Sequence, residues 1–183
     1  MSATETIATK HRIPVGDWSA DRVHSSVSFS VIYQGVGTFR GGFTDIEATL
    51  TGGETPQLAG LARVASVVAQ DENLVGHLQS PDFFDAERYP EIRFSGSDFS
   101  FEGDDVVIQG ELALRGVTLP VELHGTISAA GIDAYGKERI GVSLSTEVDR
   151  TAFGVSWNAE LPSGGVAVSN ETRLEAELSL VKA

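Results

Sequence analysis

The stretch R-L-E-A-E-L-S-L, Arg173–Leu180, places Arg173, Glu175 and Glu177 on one side of an extended chain and Leu174, Ala176, Leu178 and Leu180 on the other. Side chains of a β-strand point alternately to opposite faces, so a period of two describes a strand with one wet and one apolar face. Ser26–Tyr33 repeats the pattern, with Ser26, Ser28 and Ser30 opposite Val27, Phe29, Val31 and Tyr33.

Working outward, the turn at Gly35–Gly37 leads to Phe39, Gly41 and Phe43 on one parity, and then to Ile46, Ala48 and Leu50 on the other. A bulge near Gly41, Gly42 or Thr44 would reconcile them. A further strand runs roughly from Leu58 to Ala69. Next comes the one appreciable helical signal: Asp71 as N-cap, Leu74 and Leu78 at i and i+4, and Ser80-Pro81 as a second N-cap and N1 pair. Gly76 weakens this helix, so tertiary packing must hold it. Strand signals return with Ile92, Phe94, Phe99 and Phe101, then Val106, Ile108, Leu112 and Leu114. They continue with Leu119, Val121 and Leu123, and with Val142, Leu144, Thr146 and Val148. About eight half-apolar strands with short connections predict an all-β fold, an eight-stranded antiparallel barrel whose closure removes the sheet edges.

At 183 residues the chain suits one domain. Residues 1–13 are polar and aperiodic and read as a flexible N-terminal arm, with the barrel domain over 14–183. The net charge of −13 argues against nucleic acid or anionic bilayers as partners, since Lys and Arg drive such binding. With no cysteine, disulfides and thiolate chemistry are excluded. No apolar run is long enough to span a bilayer, and no apolar signal segment follows Met1, so stable membrane insertion is not expected and the chain reads as soluble and cytoplasmic. A homodimer through exposed strands is compatible with the pattern.

Five ordered segments resemble the YceI-like family of lipocalin-like, polyisoprenoid-binding proteins. They are W-S-A-D-R-V-H-S-S-V-S-F (Trp18–Phe29), H-L-Q-S-P-D-F-F-D (His77–Asp85), Y-P-E-I-R-F (Tyr89–Phe94), G-E-L-A-L-R-G-V-T (Gly110–Thr118) and D-R-T-A-F-G-V (Asp149–Val155). The resemblance implies an extended lipocalin-like β-barrel with a helix over it, holding a long isoprenoid or similar lipid in an apolar tunnel, with no catalysis and no cofactor besides that lipid. Two departures stand out. The helix reads N-L-V-G-H-L where many relatives carry an Arg-Asp pair before the His, and the secretory signal of periplasmic relatives is absent.

The residues expected to line such a tunnel are Phe29, Val31, Tyr33, Phe39, Phe43, Phe84, Phe94, Leu112, Leu114, Val142, Leu144, Phe153 and Trp157. Alternation alone leaves a filled and a hollow barrel equally open. Phe83 and Phe84 are adjacent and diverge, with Phe84 expected to enter the barrel mouth. Asp21, His24 and Ser25 supply the residue types of a hydrolytic triad, and an enzyme acting on a lipid-like substrate through His24 and Asp21 is the alternative function, beside a fatty-acid or amide binder. The sequence has no nucleophile elbow, so Asp21 is expected to cap a turn and His24 to satisfy a polar partner. His11, His24, His77 and His124 lack metal-ligand spacing, so no metal is expected. Asp149-Arg150 reads as a corner in which Arg150 pairs a carboxylate and Gly154 permits close approach, with a grip on an anionic head group as the lesser alternative. Asp133 is expected to do turn chemistry.

Overall fold

The computed structural model of the protein describes residues 13–183. The expected arm therefore lies outside the described residues apart from Ile13, which is buried and whose carbonyl accepts a hydrogen bond from the Gly53 amide. The first strands are β1 (Asp17–Ala20), β2 (Ser26–Tyr33), β3 (Gly37–Phe43), β4 (Ile46–Thr51), β5 (Gln57–Arg63) and β6 (Val67–Val68). A helix, α1 (Glu72–Gln79), separates them from β7 (Glu91–Glu102), β8 (Asp105–Leu114), β9 (Val117–Ile127), β10 (Gly131–Ile132), β11 (Glu138–Asp149) and β12 (Glu171–Lys182).

These twelve strands form eight staves because three staves bend and β10 continues β9 along β11. β1 and β2 both lie along β12, through Trp18–Ala20 against Leu180–Lys182 and through Ser26–Ser30 against Arg173–Glu177. β3 pairs with β2 and β4 with β1, so these two are also one bent stave. A 3-10 turn at Val64–Ser66 divides β5, which pairs with β4, from β6, which pairs with β3. Ser66 fixes both bends: its carbonyl accepts from the Thr44 amide, and its Oγ accepts from the Asp45 amide while donating to the Arg63 carbonyl. The parity change between Phe43 and Ile46 falls at Thr44–Asp45, and both apolar side chains stay buried. Around the ring each stave pairs antiparallel with the next, and β12 closes it between β11 and the first stave.

The ladder between β9 and β11 is short, Ile127–His124 against Val142–Ser145. Beyond it the two strands part, and Pro120, which has no amide hydrogen, sits in the parted stretch of β9. Phe153 lines the cleft between them and is itself 2% exposed.

The two ends of the barrel differ. Inward residues near the chain's start and finish, Trp18, Leu50, Ile108, Ile140 and Leu180, are almost wholly buried and form a packed floor. Each such side chain contributes roughly 1.5–3 kcal/mol by leaving water. At the other end α1 covers the barrel. Asp71 starts it as expected, its Oδ1 accepting from the Asn73 and Leu74 amides. Ser80 does not start a second helix: its backbone is extended and its Oγ donates back to the His77 carbonyl at 2.6 Å, so it closes α1. The chain continues in hydrogen-bonded turns to Pro90.

Candidate functional site

Between the packed floor and α1 the barrel is hollow. The cavity measures about 450 Å³, and its wall is almost wholly apolar. Eleven of the thirteen expected residues line it: Phe29, Val31 and Tyr33 from β2, Phe39 and Phe43 from β3, Phe94 from β7, Leu112 and Leu114 from β8, and Leu144 from β11, with Phe84 and Trp157 from the covering segments. Val142 and Phe153 do not. Val142 has inward parity but is 2% exposed and covered by its neighbours, although its ladder partner Leu178 does reach the cavity. Phe153 belongs to the 3-10 turn Arg150–Phe153, where strand parity no longer applies, and it fills the β9–β11 cleft instead.

Other wall residues were not singled out from sequence, among them Ile46 of β4, Leu58 of β5, Leu74 and Leu78 of α1, and Leu174 and Leu178 of β12. Their signal was present, since all lie on the apolar parity of a strand or the apolar stripe of α1. Phe83 and Phe84 diverge as expected, yet both reach the cavity. The Phe84 ring stands 5.5 Å from Phe29 and 5.6 Å from Phe43, edge-on to each, while Phe83 meets His77 at 4.8 Å and Trp157 at 5.5 Å. Edge-to-face rings at these distances hold one another in fixed orientations, which gives the covered end a defined shape.

Few polar side chains interrupt this wall. His77 Nε2 lies 3.0 Å from Asp82 Oδ2. Arg150 is 4% exposed and, among the described residues, pairs no carboxylate, correcting the expectation from sequence. Nε and Nη1 donate instead to the Ser169 and Val155 carbonyls, tying the 3-10 turn to the segment that leads into β12. Burial pushes the guanidinium below its usual range, and the nearby Asp149 charge opposes that shift. Asp149 spends its own carboxylate on the Thr151 amide and hydroxyl, which hold it below the usual carboxylate range. Gly154 ends the turn at φ 82°, in the left-handed region.

The Asp21–His24–Ser25 group lies outside the cavity wall. His24 Nδ1 is 2.8 Å from Asp21 Oδ2, and Asp21 Oδ1 accepts from the Val23 amide, capping the turn between β1 and β2. Ser25 Oγ is engaged elsewhere, accepting from the Ser179 amide at 3.0 Å. The hydrogen bond from His24, followed by that from Arg139, lowers the Asp21 carboxyl to about 2. Arg139 also donates Nε to Asp133 Oδ2 at 2.6 Å and is the main cause of a second carboxyl lowered to about 2. Asp133 does the expected turn chemistry with its other oxygen, which accepts from the Tyr135 and Lys137 amides. This cluster ties the β1–β2 turn to β11 and the β10–β11 loop, beside the packed end. Among the described residues no three of His, Asp and Glu come together in a way that could hold a metal ion, and no helix is long and apolar enough to cross a membrane.

Comparison with known proteins places this geometry. The family model described as the YceI-like domain matches residues 18–180. A UPF0312 protein of Photorhabdus laumondii is 28% identical over 157 residues, covering 84% of this chain and 79% of the relative. Protein YceI of Escherichia coli is 28% identical over 159 residues, 85% of this chain and 81% of the relative. In structure the chain is similar to BcnA of Burkholderia cenocepacia, with a TM-score of 0.72 and 22% identity over 90% of this chain and 99% of that one. It is also similar to a polyisoprenoid binding domain from Saccharophagus degradans, with a TM-score of 0.66 and 15% identity over 91% and 98% of the two chains. These structural likenesses concern the fold, which they share over 90% and 91% of this chain. The match across almost the whole barrel, from Trp18 in the packed floor to Leu180 beside it, makes this chain a member of the YceI-like family.

Proposed function

We propose that this protein binds one long apolar lipid, a polyisoprenoid or an isoprenoid quinone, inside its barrel, for transport, storage or sequestration and without chemistry on it. The observation that carries this reading is the cavity itself: about 450 Å³ of space bounded by aromatic and aliphatic side chains, in a barrel of a size that could have been filled. Its volume lies within the ~300–1,000 Å³ typical of small-molecule sites. Every methylene moved from water to such a wall contributes roughly 0.8 kcal/mol, so a long chain gains affinity without polar contacts. The structural similarity to a polyisoprenoid binding domain favours a prenyl chain over other apolar ligands.

The enzymatic alternative draws its residues from the wrong place. Asp21 and His24 do not line the cavity, and the Ser25 hydroxyl is taken by the β12 backbone. His24→Ala is expected to leave lipid binding unchanged; a loss of turnover on a lipid-like substrate with the fold intact would favour the enzyme.

Organic extraction of natively purified protein followed by mass spectrometry tests the binding reading. The expected result is a prenyl lipid in near-stoichiometric amount. Protein free of lipid that also fails to take up prenyl or acyl chains would overturn it.

A further inference from the structure

Arg150 stands on the cavity wall and is 4% exposed, yet among the described residues no carboxylate lies within ion-pairing distance of it. Among the described residues Arg63 has Asp45, Arg139 has Asp133 and Asp21, and Arg173 has Glu175; Arg115 also donates to a backbone carbonyl, that of Phe83, but is only partly buried, so it is burial that sets Arg150 apart. Asp149, the nearest acid in sequence, is engaged by Thr151. A buried cation without a counterion is costly unless dipoles or an anion compensate it.

Backbone dipoles compensate only one side of the fork. Nε donates to the Ser169 carbonyl at 2.9 Å and Nη1 to the Val155 carbonyl at 2.7 Å. Among the described residues Nη2, which carries two hydrogens, has only the Val168 carbonyl at 3.4 Å, and Asn158 Nδ2 already holds that oxygen at 2.7 Å. Thr172 is a second underused polar group on the same wall. It is 7% exposed, and its Oγ1 reaches only the Asn170 carbonyl, at 3.5 Å. The Arg150 amide donates to that same carbonyl at 3.0 Å, so the two residues adjoin through Asn170, and both line the cavity.

We infer that the cargo is an amphiphile, a long apolar chain ending in an oxyanion of the carboxylate or phosphate-ester type. Arg150 Nη2 and Thr172 Oγ1 receive its oxygens while the chain fills the cavity. This rests on the reading that the cavity holds a lipid, and it adds a head group to it. A charge-assisted hydrogen bond in a dry site favours such a ligand over a neutral one of equal length.

The experiment uses delipidated protein and one prenyl chain with four ends, a hydrocarbon, an alcohol, a carboxylate and a phosphate ester, titrated in competition with a fluorescent fatty acid. The expected result is that one or both anions bind at least about tenfold more tightly than the alcohol and hydrocarbon. Comparing the two anions identifies the head group. Thr172→Val and Arg150→Lys should shrink that preference while hydrocarbon affinity persists, and the persistence shows that the barrel still folds. Equal affinity for all four ends would overturn the head-group inference and leave the lipid reading standing. A preference unchanged in both variants would overturn the assignment to Arg150 and Thr172. Failure of all four to bind would remove the lipid reading itself.

Discussion

Phe29 and Gly41 face each other across the β2–β3 ladder, and the Phe29 ring lies where a side chain at residue 41 would stand. The absent side chain lets the ring lean over the neighbouring strand and meet Phe39 at 6.2 Å, Phe43 at 5.7 Å and Phe84 at 5.5 Å. Glycine usually weakens a strand; here it makes room for the ring that joins wall to cover.

Gly41→Ala is therefore expected to destabilise the protein by about 1–3 kcal/mol, the usual range for overpacking a tight contact. In a Phe29→Ala background the same substitution should cost much less, because the obstructing ring is gone. Urea denaturation of the four members of this cycle checks the coupling, and additive effects would show that the two residues act independently.

Acid should loosen the clamp at the packed end. Asp21 and Asp133 are both lowered from 3.8 to about 2, Asp21 first by His24 and then by Arg139, and Asp133 first by Arg139. A carboxyl depressed on folding stabilises the native state fully above its unfolded value and loses that contribution as pH falls through the folded value. Stability should thus drop between pH of about 4 and about 2. Arg139→Gln should lower stability at neutral pH and flatten this decline. Denaturation midpoints across that range, for wild type and variant, provide the comparison.

The packed and hollow halves of the barrel should respond differently to the same truncation. Leu180 is 0% exposed in the floor, and Leu180→Ala is expected to cost about 2–5 kcal/mol. Leu174 borders space that is already open, so Leu174→Ala removes fewer contacts and should cost less than about half as much in delipidated protein. Equal costs would mean that the two ends are packed alike.

Strand alternation carried most of the fold. The inward row of β12 was legible from Leu174 to Leu180 because one side of that stave is wet and the other dry. Parity tells which way a side chain points but not how fully its neighbours cover it, which is why Val142 was grouped with Leu144 although only Leu144 reaches the cavity. Phe153 was misplaced because a 3-10 turn breaks the period of two. The bends at residues 44–45 and 64–66 depend on Ser66, a small polar residue whose role emerges only when distant strands meet. The carbonyl cage of Arg150 was equally out of reach, since backbone acceptors leave no mark in a sequence.

The claim that the hollow half of the barrel is the lipid site is tested most directly by filling it. Ala176 of β12 lines the cavity, and Ala176→Phe would place a ring in existing space. With delipidated proteins titrated with a long prenol, the wild type should bind saturably at one site. Ala176→Phe should bind at least about tenfold more weakly while unfolding at a similar denaturant concentration, because a filled void need not overpack the core. Equal binding by both proteins, or no saturable binding by the wild type, would contradict the account.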